Sequence, residues 1–463
     1  MQNKTLLILL IFIIQLNCFE VPPNLRNVCP NGCKRYYYCD EIQRKCVFKG
    51  FFPVYPFELL EIVILMISSS LATSCGIGGG AVYSSMIIGV EEMEPNEAMP
   101  ISNFLILLCG LSTFISFTLD KYKHPKNIFV DYDIAIIFGP SMLIGAKFGT
   151  ILNKILSSLL LLILLLIVVC YTLKKTYKNI IKQKEKERKL DERNELLDEK
   201  ANNNILGQPL INKEEKEIED KIEFSDLNKG LLQKDKNGNL EVRSIINDED
   251  EKILKEDDDP LNWGRINFIL IMEAIVIIDQ LIEGSSKVPS FVGIIKCSIY
   301  YWLCFVIYVL ITLYFIKLSI DKVSSHIKRK KQLIPNYNSE VIENVEKNMS
   351  YVVFMGIVAG IVSSSIGIGG GMITNPVFSG LGMDPKQSSS TSNFLIIVTA
   401  IASCFIFITS GQLNFGYSIC LGILCTIAAL IGSFFILKYI NRTGRSSILI
   451  VVMEIFLIGS LFI

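Results

Sequence analysis

Two glycine-rich stretches, CGIGGG and IGIGGG, interrupt apolar sequence that is otherwise typical of membrane-spanning helices. Each glycine costs a helix about 1 kcal/mol relative to alanine, so four glycines within five positions predict a helix break. The free amide N–H groups of such a break, and the dipole of the helix that follows, favour an anion without a lysine or arginine. We therefore interpret these glycines as an anion-binding backbone formed by Gly76, Gly78, Gly79, Gly80, Gly367, Gly369, Gly370 and Gly371.

Small polar residues follow both stretches at similar distances. They are candidates to hydrogen-bond either the anion or the exposed glycine backbone, and they comprise Ser84, Ser102, Asn103, Asn375, Ser392 and Asn393. A simpler alternative is that the glycines only allow helices to pack closely, as small residues do in membrane interfaces. The two equivalent asparagines, Asn103 and Asn393, would then only cap their hairpins.

The composition indicates a polytopic membrane protein. Of 463 residues, 51% are hydrophobic and 19% are charged, against about a quarter charged in soluble domains. Equal numbers of acidic and basic residues exclude a dominant basic face for nucleic acid. The two histidines lie in polar loops, and no GK[ST] follows the glycines, which disfavours an enzyme with a histidine site or a phosphate loop. We expect no enzyme activity, cofactor or metal site.

The N-terminus reads as a secretory segment. A short apolar run after Lys4 predicts a signal peptide over residues 1–19, with an uncleaved anchor as the alternative. The following residues, 20–56, then lie outside the cytoplasm and contain four closely spaced cysteines. These predict two disulfides of open pairing, with a zinc site as the alternative, and they are Cys29, Cys33, Cys39 and Cys46.

Beyond residue 56 the apolar blocks form three groups separated by polar sequence. We expect an all-α fold of two membrane repeats joined by a helix pair and a long polar loop. The loop is rich in mixed charge and poor in aromatic residues, which indicates a largely disordered segment whose first third could extend a helix. The expected units are repeat 1 (57–173), the cytoplasmic polar loop (174–262), the linking helix pair (263–320), a cytoplasmic loop (321–349) and repeat 2 (350–463).

The two repeats share landmarks at a nearly constant offset. Gly76 and Gly367 are 291 residues apart, and the two copies of SNFLI begin 290 residues apart. Basic loops at residues 121–126, 174–186, 326–331 and 438–445 predict the cytoplasmic side, whereas the acidic residues 91–97 predict the external side. Each glycine stretch then forms a hairpin that enters the membrane and returns, from opposite faces in the two repeats. This is the inverted-repeat architecture of secondary transporters.

Charged residues inside predicted membrane segments are rare and point to function. Glu273 and Asp279 lie in the first linking helix and are candidates for coupling protons to transport. They are six residues apart and outside the repeats, so a structural role is the alternative. Lys147 is expected near the external end of its helix, where its side chain could reach the membrane surface.

The two GIGGG hairpins are each followed by P-x-x-(A/S)-x-x-x-S-N, and this arrangement resembles the TauE/SafE family of anion exporters. The segments VDYDIAIIFGPSMLIGAKFG, LNWGRIN and CSIYYW are similar to segments of its eukaryotic branch, as is a signal peptide before an external cysteine segment. The resemblance covers residues 57–463 apart from the polar loop. Repeat 2 departs from it, with LNFGYSI where a second DYD segment would stand.

The resemblance implies a secondary transporter or exporter of sulfite, sulfonates or related organosulfur anions. Its expected partners are a small anion and the lipid bilayer, either of the plasma membrane or of an internal membrane, and not nucleic acid. The sequence leaves the anion, the transport direction, the coupling ion and the oligomeric state open. The alternative function is a non-transporting receptor or scaffold that acts through the cysteine-rich segment and the cytoplasmic loop.

Overall fold

The structure is a computed structural model. It describes residues 36–40, 45–52, 54–124, 130–205, 232–234, 240–242, 261–285, 288–295, 298–333, 344–345, 347–443 and 447–462. The predicted signal peptide, Cys29 and Cys33 lie outside these residues. Cys39 and Cys46 are directly opposite each other on paired strands.

The described chain is an all-α membrane fold, as predicted. In chain order the helices are α1 (Pro56–Ala72), α2 (Gly80–Val90), α3 (Pro95–Lys123), α4 (Tyr132–Ile155), α5 (Ser158–Ile205), α6 (Trp263–Glu283), α7 (Ile299–Leu333), α8 (Met349–Ile366), α9 (Gly371–Gly380), α10 (Pro385–Ser410), α11 (Phe415–Thr443) and α12 (Ser447–Phe462). Two short antiparallel ribbons lie outside the helical body, β1 (Tyr37–Asp40) with β2 (Lys45–Phe48) and β3 (Leu232–Lys234) with β4 (Leu240–Val242).

Seven of the described helices are long and apolar enough to cross a membrane: α3, α4, α5, α7, α8, α10 and α11. The helix α5 continues well past its apolar part, which ends near Ile181, into the charged segment. The helix α6 is 21 residues long, about 30 Å, but it carries four charged residues. Length therefore allows α6 to span a membrane, provided that protein rather than lipid surrounds its charges.

Helix packing repeats between the two halves. The first helix of each half packs on the fourth helix of the other, so α1 contacts α11 and α8 contacts α4. In the same way α2 contacts α12 and α9 contacts α5, while α3 packs on its own counterpart α10 and α5 packs on α12. Such exchanged contacts are those of two similar halves related by an approximate two-fold axis.

The equivalent helices α3 and α10 run antiparallel. Lys386, in the first turn of α10, donates a 3.0 Å hydrogen bond to Asp120 near the end of α3. At mid-helix, Asn393 of α10 donates a 3.0 Å bond to the carbonyl of Gly110 in α3. Because the two equivalent helices lie side by side in opposite directions, the two-fold axis is perpendicular to them.

The linking helices lie against the first repeat, where α6 and α7 pack on each other and on α4. Near the start of α6, Arg265 forms a 2.8 Å ion pair with Asp133 of α4, and His326 of α7 lies 3.2 Å from the same carboxylate. Toward the other end, Lys147 of α4 forms an ion pair with Asp279 of α6. These two pairs join the parallel helices α4 and α6 at both ends.

The N-terminal ribbon packs on the end of the helical body that carries the loop between α2 and α3. Tyr37 donates a 2.9 Å hydrogen bond to Glu97, and Phe48 makes an edge contact with Tyr417 at a centroid distance of 5.3 Å. Lys49 forms an ion pair with Glu58 of α1. The ribbon is therefore fastened to both repeats at this end.

Candidate functional site

Each glycine stretch breaks a helix in the interior of the protein. The helix α1 ends at Ala72 and α2 begins at Gly80, while α8 ends at Ile366 and α9 begins at Gly371. Gly79, which caps α2, and Gly367, which caps the end of α8, have φ angles of 73° and 68°. Only glycine adopts these left-handed conformations readily, so the breaks depend on the residue type and not only on flexibility.

The two breaks meet each other across the approximate two-fold axis. A Cβ atom on Gly80 would lie 2.5 Å from the carbonyl oxygen of Gly367 in the opposite stretch. In the equivalent contact, a Cβ on Gly371 would collide with the carbonyl oxygen of Gly76. Backbone therefore packs directly against backbone at the centre of the molecule, and the contact leaves no room for side chains at these two glycines.

Both breaks present amide N–H groups that have no hydrogen-bond acceptor among the described residues. The first set precedes and opens α2, and the second set precedes and opens α9; they are the amides of Gly78, Gly79, Gly80 and Ala81, and of Gly369, Gly370, Gly371 and Met372. All eight residues are buried. Buried N–H groups without acceptors are rare in proteins, and at helix N-termini they are suited to an anion.

The polar residues after each break bond the carbonyls of the opposite break. Ser102 donates a 2.6 Å hydrogen bond to Gly367, and Ser84 donates a longer one of 3.3 Å to the same oxygen. In the other direction, Asn375 donates a 2.5 Å bond to the carbonyl of Cys75. The residues predicted to bond either the anion or the glycine backbone thus bond the backbone here.

The remaining predicted residues lie close to this centre but make other contacts. Ser392 accepts a 3.0 Å hydrogen bond from Thr374, and Asn103 donates to the carbonyl of Met99 one turn earlier in its own helix. Asn393 donates to Gly110, and its side-chain oxygen has no hydrogen-bond donor among the described residues. The amide groups of Asn103 and Asn393 therefore donate to carbonyls outside the glycine stretches in this conformation.

Two residues that the sequence did not single out also support the breaks. Ser389 donates a 3.0 Å hydrogen bond to Cys75, alongside Asn375, and Asn153 at the end of α4 donates a 2.9 Å bond to Ser365. Ser389 stands in a run of serines, QSSSTSN, which suggested no particular member of the run. Asn153 belongs to no motif, and only helix packing brings it to the second break.

A small cleft lies beside α9, the helix that follows the second break. It is lined by α5, α9, α10 and α12 and has room for about one water molecule. Its polar lining includes Asn375 and Ser389, the two side chains that bond Cys75, together with Thr176 and Asn179 of α5. The cleft thus runs from the polar end of α5 to the two side chains that bond the carbonyl of Cys75.

The two predicted coupling residues are both buried, with Glu273 at 4% and Asp279 at 9% exposure. Asp279 forms an ion pair with Lys147, whereas Glu273 has no hydrogen-bond partner among the described residues. Lys147 does not extend to the surface, because it is only 4% exposed and bonds α6 instead. Neither acid contacts the glycine breaks.

The fold and its centre define a class: a multi-pass membrane protein in which two similar halves bring paired helix breaks together at a common axis. The sequence pattern of the sulfite exporter TauE/SafE family matches residues 39–175 and 290–460, on either side of the long polar segment. The chain belongs to this family, and it is a membrane transporter rather than an enzyme.

Relatives from Arabidopsis thaliana match most of the chain at low identity. Sulfite exporter TauE/SafE family protein 5 is 22% identical over 395 residues, which cover 84% of this chain and 78% of that protein. Family protein 1 is 21% identical over 85% of this chain and 79% of its own length, and family protein 2 is 23% identical over 84% and 78%. No solved structure matches this chain.

Proposed function

We propose that the protein is a secondary transporter that exports a small sulfur oxyanion, sulfite or a sulfonate, bound between the two glycine breaks. The observation that carries this proposal is the pair of buried amide sets that open α2 and α9 without acceptors. An oxyanion supplies the missing acceptors and is stabilised by two helix N-termini. The names of the relatives, sulfite exporter TauE/SafE family proteins, support the substrate class.

The halves have opposite orientations in the membrane in this proposal. The antiparallel packing of α3 and α10 supports it, because a two-fold axis perpendicular to spanning helices lies in the membrane plane. The two amide sets then approach the substrate from opposite faces. A small tilt of one half against the other exposes the site alternately to each side, as in other inverted-repeat transporters.

The cleft beside α5 is the proposed route from the cytoplasm. Its rim lies near Asn179, in the part of α5 that enters the basic segment assigned to the cytoplasmic side. Asn375 and Ser389 line its inner end, where both release or rebind the carbonyl of Cys75 as substrate passes. An anion that enters by this route comes from the cytoplasm, which is the side from which an exporter takes its substrate.

Flux into proteoliposomes tests the proposal. The purified protein is reconstituted and compared with protein-free vesicles for exchange of labelled sulfite, isethionate, sulfate and thiosulfate at equal pH on both sides. We expect saturable exchange of sulfite or isethionate. Gly80→Ala and Gly371→Ala should each lower exchange about tenfold or more, because their new methyl groups meet rigid backbone of the opposite break.

The matched control is Gly139→Ala in α4. Gly139 is also a buried helical glycine, but the nearest atom to its new Cβ would be 3.7 Å away on Ile269. This variant should exchange anions like the wild type, with all three variants present in the membrane at equal amounts. Absence of exchange for the whole anion panel in the wild type, or full exchange by both Gly80→Ala and Gly371→Ala, would contradict the proposed site.

A further inference from the structure

A buried group of three charges lies between α4 and α6, away from the glycine breaks. Lys147 of α4 forms ion pairs with two carboxylates of α6, those of Asp279 and Glu283, the second at 2.9 Å. All three side chains are at most 10% exposed. One ammonium between two carboxylates leaves a net charge of −1 in the interior when every group is ionised, and one added proton makes the group neutral.

Glu273 lies in the middle of α6 and is an isolated acid. Its side chain is 4% exposed, and neither carboxyl oxygen has a hydrogen-bond partner among the described residues. An ionised carboxylate without a partner is very costly in such surroundings, so this conformation favours the protonated acid. Tyr308 of α7 lies within electrostatic range of Glu273 and of both carboxylates of the charged group.

Other titratable groups also face this region from each neighbouring helix. The helix α7 contributes three, and α4 contributes one further lysine near Glu283; they are Tyr301, Cys304, Tyr308 and Lys154. The helix α10 faces α6 through the neutral pair of Gln280 and Thr409. Lys147 also lies 4.7 Å from the ring centroid of Tyr308. Lys147 is therefore the cation that pairs with Asp279 and Glu283, with Lys154 as a more distant charge near Glu283.

The helix that carries Lys147 also packs on α8, the helix that ends at the second glycine break. Two residues after Lys147, a Cβ on Gly149 would collide with the carbonyl oxygen of Ile361 in α8. One further turn along, Asn153 donates its hydrogen bond to Ser365, immediately before the break. A shift of α4 relative to α6 is therefore transmitted to the break by direct contact of rigid backbone.

We propose that Lys147, Asp279, Glu283 and Glu273 form a proton-binding site that couples transport to a pH gradient. The inference rests on the proposed transport function and names its coupling ion. Uptake of a proton from water converts one carboxylate of the charged group to a carboxylic acid, which weakens the attraction of α6 for Lys147. The helix α4 is then free to move with the second break, and the proton is released when the site opens to the other side.

The test separates coupled transport from simple exchange in proteoliposomes. Labelled sulfite uptake is measured with a one-unit pH gradient and, separately, as exchange at equal pH. In one of the two directions of the pH gradient, the wild type should accumulate several-fold more sulfite than it does without a gradient. Asp279→Asn, Glu283→Gln and Glu273→Gln should lose this stimulation while keeping equal-pH exchange within about threefold of the wild type.

Controls keep a folding defect distinct from a loss of coupling. Glu454→Gln makes the same chemical change in α12, away from the charged group, and should keep the stimulation. Lys147→Gln leaves two acids without their cation, so the double variant Lys147→Gln with Asp279→Asn should recover membrane expression and exchange but not stimulation. Wild-type exchange without any pH stimulation, or full stimulation in all three acid variants, would overturn the coupling site and leave the transport proposal standing. Absence of wild-type exchange would overturn both.

Discussion

Ser84 and Asn375 are 291 residues apart and make equivalent bonds. Ser84 donates to the carbonyls of Ile366 and Gly367, and Asn375 donates to the carbonyl of Cys75, which corresponds to Ile366 in the other half. The residue types differ, but each places a donor on the same backbone atom of the opposite break. The geometry of the break therefore depends on a hydrogen-bond donor at positions 84 and 375, which either serine or asparagine can supply.

At the residue scale, the sequence predicts features that depend only on neighbouring residues in the chain. Glycine clusters predict helix breaks by themselves, and the breaks lie where they were predicted. The roles of Ser389, Asn153 and Lys147 depend on helices that are distant in the chain, so no local pattern predicts them. Of the two predicted coupling acids, Asp279 finds its cation on α4 only through packing between helices.

Glu91 gives a prediction for pH dependence. It follows α2 in the loop before α3, where burial raises its pKa from 4.5 to about 7, against the lowering effect of a hydrogen bond from Tyr417. The folded state therefore binds this proton more tightly than the unfolded state does, and the stabilising effect is lost as the pH rises through about 7. The apparent Tm of the purified protein should fall by about 2 °C or more between about pH 5 and pH 8.

The matched pair of variants for this pH dependence is Glu91→Gln and Glu94→Gln. Glu91→Gln should make the fall in apparent Tm less steep, because one of the two neighbouring buried acids, Glu91 and Glu61, no longer titrates. Glu94→Gln changes an exposed acid of the same loop and should leave the profile as it is. An unchanged slope in Glu91→Gln would show that another group controls the pH dependence.

At the scale of elements, α4 and α6 are matched by charge along their length. Asp133 and Lys147 are 14 residues apart on α4, and their partners Arg265 and Asp279 are also 14 apart on α6. Fourteen residues correspond to about 21 Å of helix, so the two ion pairs hold the parallel helices in one register. The signs are reversed between the two ends, which disfavours any shifted or antiparallel pairing.

Breaking one of these pairs should destabilise the linking helix. Arg265→Gln removes the guanidinium that pairs with the largely buried Asp133, and we expect the free energy of unfolding to fall by about 3 kcal/mol. The measurement is the apparent Tm in detergent together with the amount inserted in membranes. The exchanged pair Asp133→Arg with Arg265→Asp should recover part of the loss; a double variant no better than Arg265→Gln would show that packing, not charge, sets the register.

At the scale of the whole molecule, the sequence predicts a repeat because its landmarks are glycine, proline, serine and asparagine, which are sparse in apolar sequence. The contacts exchanged between the halves agree with the 290–291 residue offset. The sequence predicts the linking helix pair but not its packing against α4, since the ion pairs between α4 and α6 join residues that are distant in the chain. The helix α6 can span the membrane because α4 supplies charges opposite to those of Arg265 and Asp279.

Opposite orientation of the halves predicts an asymmetric labelling result. Glu94 and Asp384 are equivalent residues, each followed by the proline that begins α3 or α10. In sealed vesicles, an impermeant maleimide should label Glu94→Cys from the external side and Asp384→Cys only from the cytoplasmic side. The unmodified chain gives the background from its own cysteines. Labelling of both positions from the same side would contradict the inverted arrangement.

The number of helices between the two breaks has a consequence for how the chain is inserted. In the proposed topology three crossings follow the first hairpin, and an odd number leaves the chain on the opposite face. The linking pair α6 and α7 adds an even number and so preserves that side for the second hairpin. Such a linker can gain or lose spanning helices only in pairs. Removing α6 alone would insert the second half in the opposite orientation, and its amides would no longer face those of the first half.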